Sequence, residues 1–236
     1  MRRVDSPNHG PRTFGGTPRL IVVHYTAMRG GMDPVVAHFA DPAVKLSAHY
    51  VVGRGGAAVQ MVDEDRRAWH AGLGAWGDVA DVNSFSIGIE LCNDGASPFA
   101  ARQMDALEAL LADVMARHGI PPEGVIGHSD SAPHRKIDPG PRFDWRRLAR
   151  AGLSVWPEGR GTAPPDAGRF RRDLAAFGYV AEVDDATLLG AFRLRFRPRA
   201  AGPLDARDMG IAAELAARWP VGWEAVGNVD LAVAAQ

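Results

Sequence analysis

The sequence predicts an α/β fold, a mixed central sheet flanked by helices, followed by a small C-terminal three-helix domain. Three observations carry that expectation. Strand-length apolar runs alternate with one strong helical period up to residue 156. A stretch rich in proline and glycine interrupts the pattern at 157–168. Three further helical periods then follow. The expected organisation is therefore a first domain over 1–156, a linker over 157–168 and a helical domain over 169–236.

The run Leu20, Ile21, Val22, Val23 is apolar and β-branched without alternation, as in a strand buried on both faces, and His24 falls at its exit. Ala48 to Val52 and Ala58 to Val62 read as a hairpin across the turn Gly53, Arg54, Gly55, Gly56. Ser86 to Leu91 is a fourth strand. Met104, Leu107, Leu111, Val114 and Met115 recur at helical spacing until Gly119, Pro121 and Pro122 stop the pattern. Val125 and Ile126 lead as a short strand into Gly127 and His128. A loop with Pro133, Pro139 and Pro141 follows, which can be neither regular helix nor central strand. Beyond the linker, Arg169–Phe177, Asp185–Phe196 and Asp205–Trp219 are the three expected helices.

Composition narrows the functional classes. With 236 residues, 46% of them hydrophobic, the chain can bury one substantial core and still furnish a small second unit. Its 27 Lys and Arg residues nearly cancel 28 Asp and Glu, so no basic field exists to hold a nucleic acid or an anionic membrane. Cys92 is the single cysteine, which excludes an intrachain disulfide and a thiolate cluster, so a metal would have to be held by histidine and carboxylate. The opening residues Met1 to Asn8 do not form an apolar export segment, and the run from Leu20 to Val23 is too short to cross a bilayer. The expected compartment is the cytoplasm, with the periplasm as the alternative.

A hydrolytic zinc needs three protein ligands and an open position for water, whose pKa falls to roughly 7 on the metal. His24, His128 and Asp138 could supply such a set from two strand ends and a constrained loop. Spacing alone leaves the choice open, because 8 histidines and many carboxylates allow many such trios.

The local words are more specific. Val22-Val23-His24-Tyr25-Thr26-Ala27, Ser47-Ala48-His49-Tyr50 and Ala68-Trp69-His70-Ala71-Gly72 are followed by Asn83 and by Ser86 through Leu91. Gly127-His128-Ser129-Asp130 and Arg135 through Pro141 close the series. In this order, over roughly residues 5 to 156, they resemble the N-acetylmuramoyl-L-alanine amidase family related to peptidoglycan recognition proteins and T7-type lysozyme. The resemblance implies a fold of that type and zinc on His24, His128 and Asp138. It also implies Glu90 as the group handling the proton, Lys136 beside the developing oxyanion, and Trp69, His70 and Asn83 lining the substrate groove. His134 falls at a variable place and receives no metal role. His49 reads as a core histidine and His118 as a helix C-terminal cation beside Gly119.

In the C-terminal part, Phe170, Leu174, Phe177, Gly178 and Tyr179, then Ala191, Phe192, Arg195, Phe196, Arg197 and Pro198, look like the helical peptidoglycan-binding domain of cell-wall hydrolases. The implied function is zinc-dependent cleavage of the amide between N-acetylmuramic or anhydromuramic acid and L-alanine. The implied partner is peptidoglycan or an anhydromuropeptide, without nucleic acid or membrane insertion. Two alternatives belong to other classes: a muropeptide recognition module that does not cut, and a regulatory partner of a polymerase. The complete ligand set counts against the first and the neutral charge against the second. The lack of an export segment favours recycling of anhydromuropeptides, whereas the wall-binding resemblance favours an exported role.

Overall fold

The structure, a computed structural model, describes residues 1–161 and 163–222; the end of the expected C-terminal domain, 223–236, lies outside the described residues. Among the described residues, eight strands run in chain order: β1 Arg2–Arg3, β2 His9–Pro11, β3 Leu20–Tyr25, β4 Tyr50–Val52, β5 Ala58–Gln60, β6 Arg66–Ala68, β7 Ser86–Leu91 and β8 Val125–Gly127. The helices are α1 Met32–Ala40, α2 Ala101–His118, α3 His128–Ser131, α4 Trp145–Arg150, α5 Ala167–Phe177, α6 Asp185–Phe196 and α7 Ala206–Arg218. Six strands form one sheet in the order β1-β5-β4-β7-β3-β8, while β2 and β6 form a small antiparallel pair. The sheet is mixed, as expected. β3 runs parallel to β7 and β8, β4 runs parallel to β7, and the β4–β5 hairpin is antiparallel.

Strand β3 shows why its sequence is apolar without alternation. Ile21 and Val23 pack with Ile87, Ile89 and the α2 residues Met104, Leu107 and Leu111 on one face. Leu20 and Val22 pack on the other face with Ile126, Phe170, Leu174 and Phe192. Both faces are covered, so both parities must be apolar. Helix α2 ends where the sequence places its stop, with Gly119 at φ 66° as a left-handed cap.

Helices α5, α6 and α7 therefore share one hydrophobic cluster with the sheet. Each large apolar side chain buried there contributes about 1.5–3 kcal/mol. Helix α1 covers a third cluster around Val51, Val59 and Met61.

Three helices were not expected: the four-residue α3, which opens the segment read as a loop, and α1 and α4. α1 is nine residues long, follows Gly30 and Gly31 and carries Pro34 in its first turn, whereas α4 is six residues with three arginines. Neither shows a full helical period. The hairpin strand β4, Tyr50–Val52, is shorter than expected, although His49 still donates its N–H to the Gly88 carbonyl (3.0 Å) and accepts from the Met61 N–H (2.8 Å). The Gly88 N–H donates to the His49 ring Nδ1 (2.9 Å) instead of to a strand carbonyl.

Candidate metal centre

The parallel arrangement of β3, β4, β7 and β8 gathers the carboxyl ends of four strands at one edge of the sheet. His24 lies near the end of β3, directly opposite Glu90 of β7 in the register, so both side chains leave the same face. His128 begins α3 immediately after β8. The Ser129 N–H donates to the Asp138 carbonyl (2.9 Å), which folds the proline-rich loop back against that turn.

The consequence is a tight trio. His24 Nδ1 lies 3.0 Å from His128 Nδ1 and 2.9 Å from Asp138 Oδ2, and His128 Nδ1 lies 3.1 Å from the same oxygen. All three residues are buried. Ligands on a tetrahedral metal with bonds of about 2.0–2.1 Å stand roughly 3.3 Å apart, close to these separations.

Hydrogen bonding outside the trio decides which ring nitrogens carry protons. The Ser86 hydroxyl donates to the Val82 carbonyl (2.5 Å), so its oxygen is left to accept from His70 Nε2 (3.2 Å). His70 Nδ1 is then the acceptor for His24 Nε2–H (3.0 Å), which leaves His24 Nδ1 as a bare lone pair. On the other side, His128 Nε2 faces the Ala71 carbonyl (2.9 Å), which can only accept, so His128 Nδ1 is bare as well. Two lone pairs and a carboxylate oxygen thus converge where only a cation relieves their repulsion. The donor set, two imidazoles and one carboxylate with their distal N–H groups fixed, fits a hydrolytic metal.

Electrostatics agree. Burial, then the like charge of His128, pushes the His24 imidazolium down to about 4. Burial works to raise the Asp138 carboxyl, but with protons on the facing Nδ1 atoms hydrogen bonds from His128 and His24 hold it well below the usual carboxylate range, a role that a bound cation would take over once those nitrogens are bare. Glu90 behaves oppositely. Burial drives its carboxyl up to about 8, the nearby Asp138 charge adds to the rise, and the Lys136 ammonium opposes it. Glu90 Oε2 is buried without a hydrogen-bond partner. An unpaired carboxyl beside a metal-type trio is poised to take and return a proton. Lys136 is half-buried in the loop that carries Asp138.

The structure changes two of the expected groove residues. His70 is 5% exposed and stands behind His24 as its hydrogen-bond partner, so it orients a ring instead of lining a groove. Asn83 is 4% exposed and its Oδ1 accepts from the backbone N–H groups of His70 and Ala71, which fixes the segment bearing both of those supports. Trp69 is half-buried, with its indole against Gly10 of β2. His49 is fully buried beneath the sheet edge, His134 is exposed, and His118 closes α2 with its Nε2 2.8 Å from Glu64. Sequence reasoning gave Gly88 and Ser86 no task. A Cβ on Gly88 would stand 2.4 Å from the His70 ring, so the glycine makes room for the residue that orients His24.

A buried two-histidine, one-carboxylate centre at the carboxyl edge of an α/β sheet, with an unpaired glutamate beside it, defines the hydrolase class of metal site. Residues 14–141 match the family described as N-acetylmuramoyl-L-alanine amidase. The chain belongs to that family. It is 36% identical over 229 residues to the N-acetylmuramoyl-L-alanine amidase AmiD of Escherichia coli (strain K12), covering 84% of this chain and 82% of the relative. The 1,6-anhydro-N-acetylmuramyl-L-alanine amidase AmpD of Enterobacter cloacae is 39% identical over 164 residues, covering 62% of this chain and 87% of its own. Among solved structures, the complex of E. coli AmiD with anhydro-N-acetylmuramic acid-L-Ala-D-gamma-Glu-L-Lys superposes with a TM-score of 0.77 at 34% identity, covering 88% of this chain and 92% of that one.

Proposed function

We propose that the chain is a zinc-dependent amidase that hydrolyses the bond between the lactyl carbonyl of an N-acetylmuramic or anhydromuramic acid and the L-alanine nitrogen of a stem peptide. The observation that carries this reading is the convergence of three proton-free donor atoms beside a carboxyl held up to about 8. His24, His128 and Asp138 would hold the ion. Zinc bound there supplies a Lewis acid for the amide carbonyl and acidifies water.

The remaining work falls to the protein. Glu90 accepts a proton from the attacking water and returns it to the departing alanine nitrogen. A cation beside it opposes the causes that raise its affinity for protons, which brings the carboxyl toward the pH where both its forms coexist. Lys136 places an ammonium where negative charge develops on the carbonyl oxygen. His70 and the Ala71 carbonyl keep the two imidazoles turned with Nδ1 inward. Trp69 offers an aromatic face to the sugar or peptide.

We assign anhydromuramyl peptides as the preferred substrate, acting in cytoplasmic recycling. The anhydromuramyl substrate in the AmiD complex, and the similarity to the 1,6-anhydro-N-acetylmuramyl-L-alanine amidase AmpD, support the substrate. No helix among the described residues is long and apolar enough to cross a membrane. The test is a mass-spectrometric digest of an anhydromuramyl peptide and of intact peptidoglycan, with and without a chelator. Chelator-sensitive release of stem peptide, faster from the anhydromuramyl peptide, is the expected result. Binding without release from either substrate would instead make the chain a recognition module.

A further inference from the structure

Asp130, two residues beyond His128, is 1% exposed and holds a carboxylate inside the protein. Its Oδ2 accepts from the Gly127 N–H (2.8 Å), closing the turn that presents His128. Its remaining partners both come from the C-terminal segment. Arg195 of α6 donates from Nη1 to Asp130 Oδ2 (2.8 Å), and the Tyr179 hydroxyl donates to Oδ1 (2.5 Å).

Arg195 does more than neutralise that charge. Its Nη2 donates to the Val125 carbonyl in β8 (3.0 Å) and to Ser154 Oγ (3.2 Å), so one guanidinium grips the strand before His128 and the turn after it. The group is 2% exposed and lies 4.4 Å over the Trp145 ring. Such a planar, rigid fork fixes two chain segments relative to one another in a way a flexible point charge cannot. A second brace reaches the other support of His128. The Gly178 carbonyl accepts from the Gly77 N–H (2.9 Å), and Trp76, wholly buried, packs edge-on against Phe177 and Tyr179, tying down the loop that begins at Ala71.

We infer that Tyr179 and Arg195 are positioning residues of the amidase centre: acting through Asp130, the C-terminal helices hold His128 in the geometry that binds the metal. The inference rests on the metal reading above. It gives helices that resemble a wall-binding domain a task inside the catalytic machinery.

The experiment uses the full chain and Co2+ as a spectroscopic probe of the metal site, with affinity measured against a competing chelator. Tyr179→Phe keeps the ring packing and removes one donor, while Arg195→Lys keeps the charge and removes the fork. Both are expected to weaken Co2+ binding about tenfold, the lower end of the effect of removing partners outside the ligand shell. Both should alter the visible Co2+ absorption band and lower kcat on an anhydromuramyl peptide with little change in KM. Phe170→Leu, which loosens the same helices away from Asp130, should lower Tm and leave Co2+ affinity at the wild-type value. Wild-type affinity and kcat in Tyr179→Phe would overturn the inference alone, as would an equal loss of affinity in Phe170→Leu. A wild-type chain that binds no Co2+ would overturn the metal reading and the inference with it.

Discussion

The two histidines of the centre are held by different parts of the chain. His24 is oriented by His70, Ser86 and Val82, all within the stretch that matches the amidase family. His128 is oriented by Ala71 from that stretch, but its turn is anchored through Asp130 by Tyr179 and Arg195, which lie beyond it. One proposed ligand is thus supported from within the family's common region and the other partly from outside it. Metal affinity in this chain should depend on both.

The largest effect is expected where both supports end, at the ligands themselves. Asp138→Ala should abolish metal binding and turnover, while His134→Ala, at an exposed position, should leave the measured zinc content at the wild-type value. Equal zinc loss in the two variants would refute the trio. Next comes proton transfer. Glu90→Gln should retain its metal but lose about 10²–10⁴ in kcat, the usual worth of a general acid or base; an active variant moves that role elsewhere.

The comparison itself is sharpened on the His24 side. His70→Ala should weaken metal binding by roughly 10–100-fold, and Gly88→Ala should follow it, since the added methyl displaces the His70 ring. If Gly88→Ala binds metal normally while His70→Ala does not, the close approach is not what sets the ring.

The smallest effect is expected in the charged cluster around Glu64, whose side chain bonds neither His70 nor Asp130. Burial works to raise Glu64, but hydrogen bonds from Arg117, Tyr50 and His118 prevail and hold it down to about 2. Its stabilising contribution is therefore present above the usual carboxylate range and is lost as pH falls toward 2. The Tm gap between wild type and Glu64→Gln should close over that acid window. A gap that persists at the acid end would show that packing, not charge, is what Glu64 contributes.

Much of this arrangement was legible in the sequence. β7 and α6 fall where their patterns end, and the mixed sheet follows from short apolar runs whose two faces are both covered. The residues that converge at the centre stand in the family's characteristic words. The support of His24 was misread because His70 sits in such a word and its task depends on a neighbouring strand; the available signal was Gly88, a glycine inside a buried strand. The support of His128 was harder to see. Asp130 and Arg195 are 65 positions apart, and the local hint, arginines among the buried positions of α6, is shared by Arg193 and Arg195 and does not single out the one that reaches Asp130.

The shared hydrophobic cluster bears on how this protein can be recombined. A chain cut after residue 156 would lay bare Leu20, Val22 and Ile126, side chains that α5, α6 and α7 now cover. Such a fragment should bind hydrophobic dyes and aggregate, and the helices transplanted alone should do the same. Shuffling one part without the other would expose a sticky face before it altered any specificity.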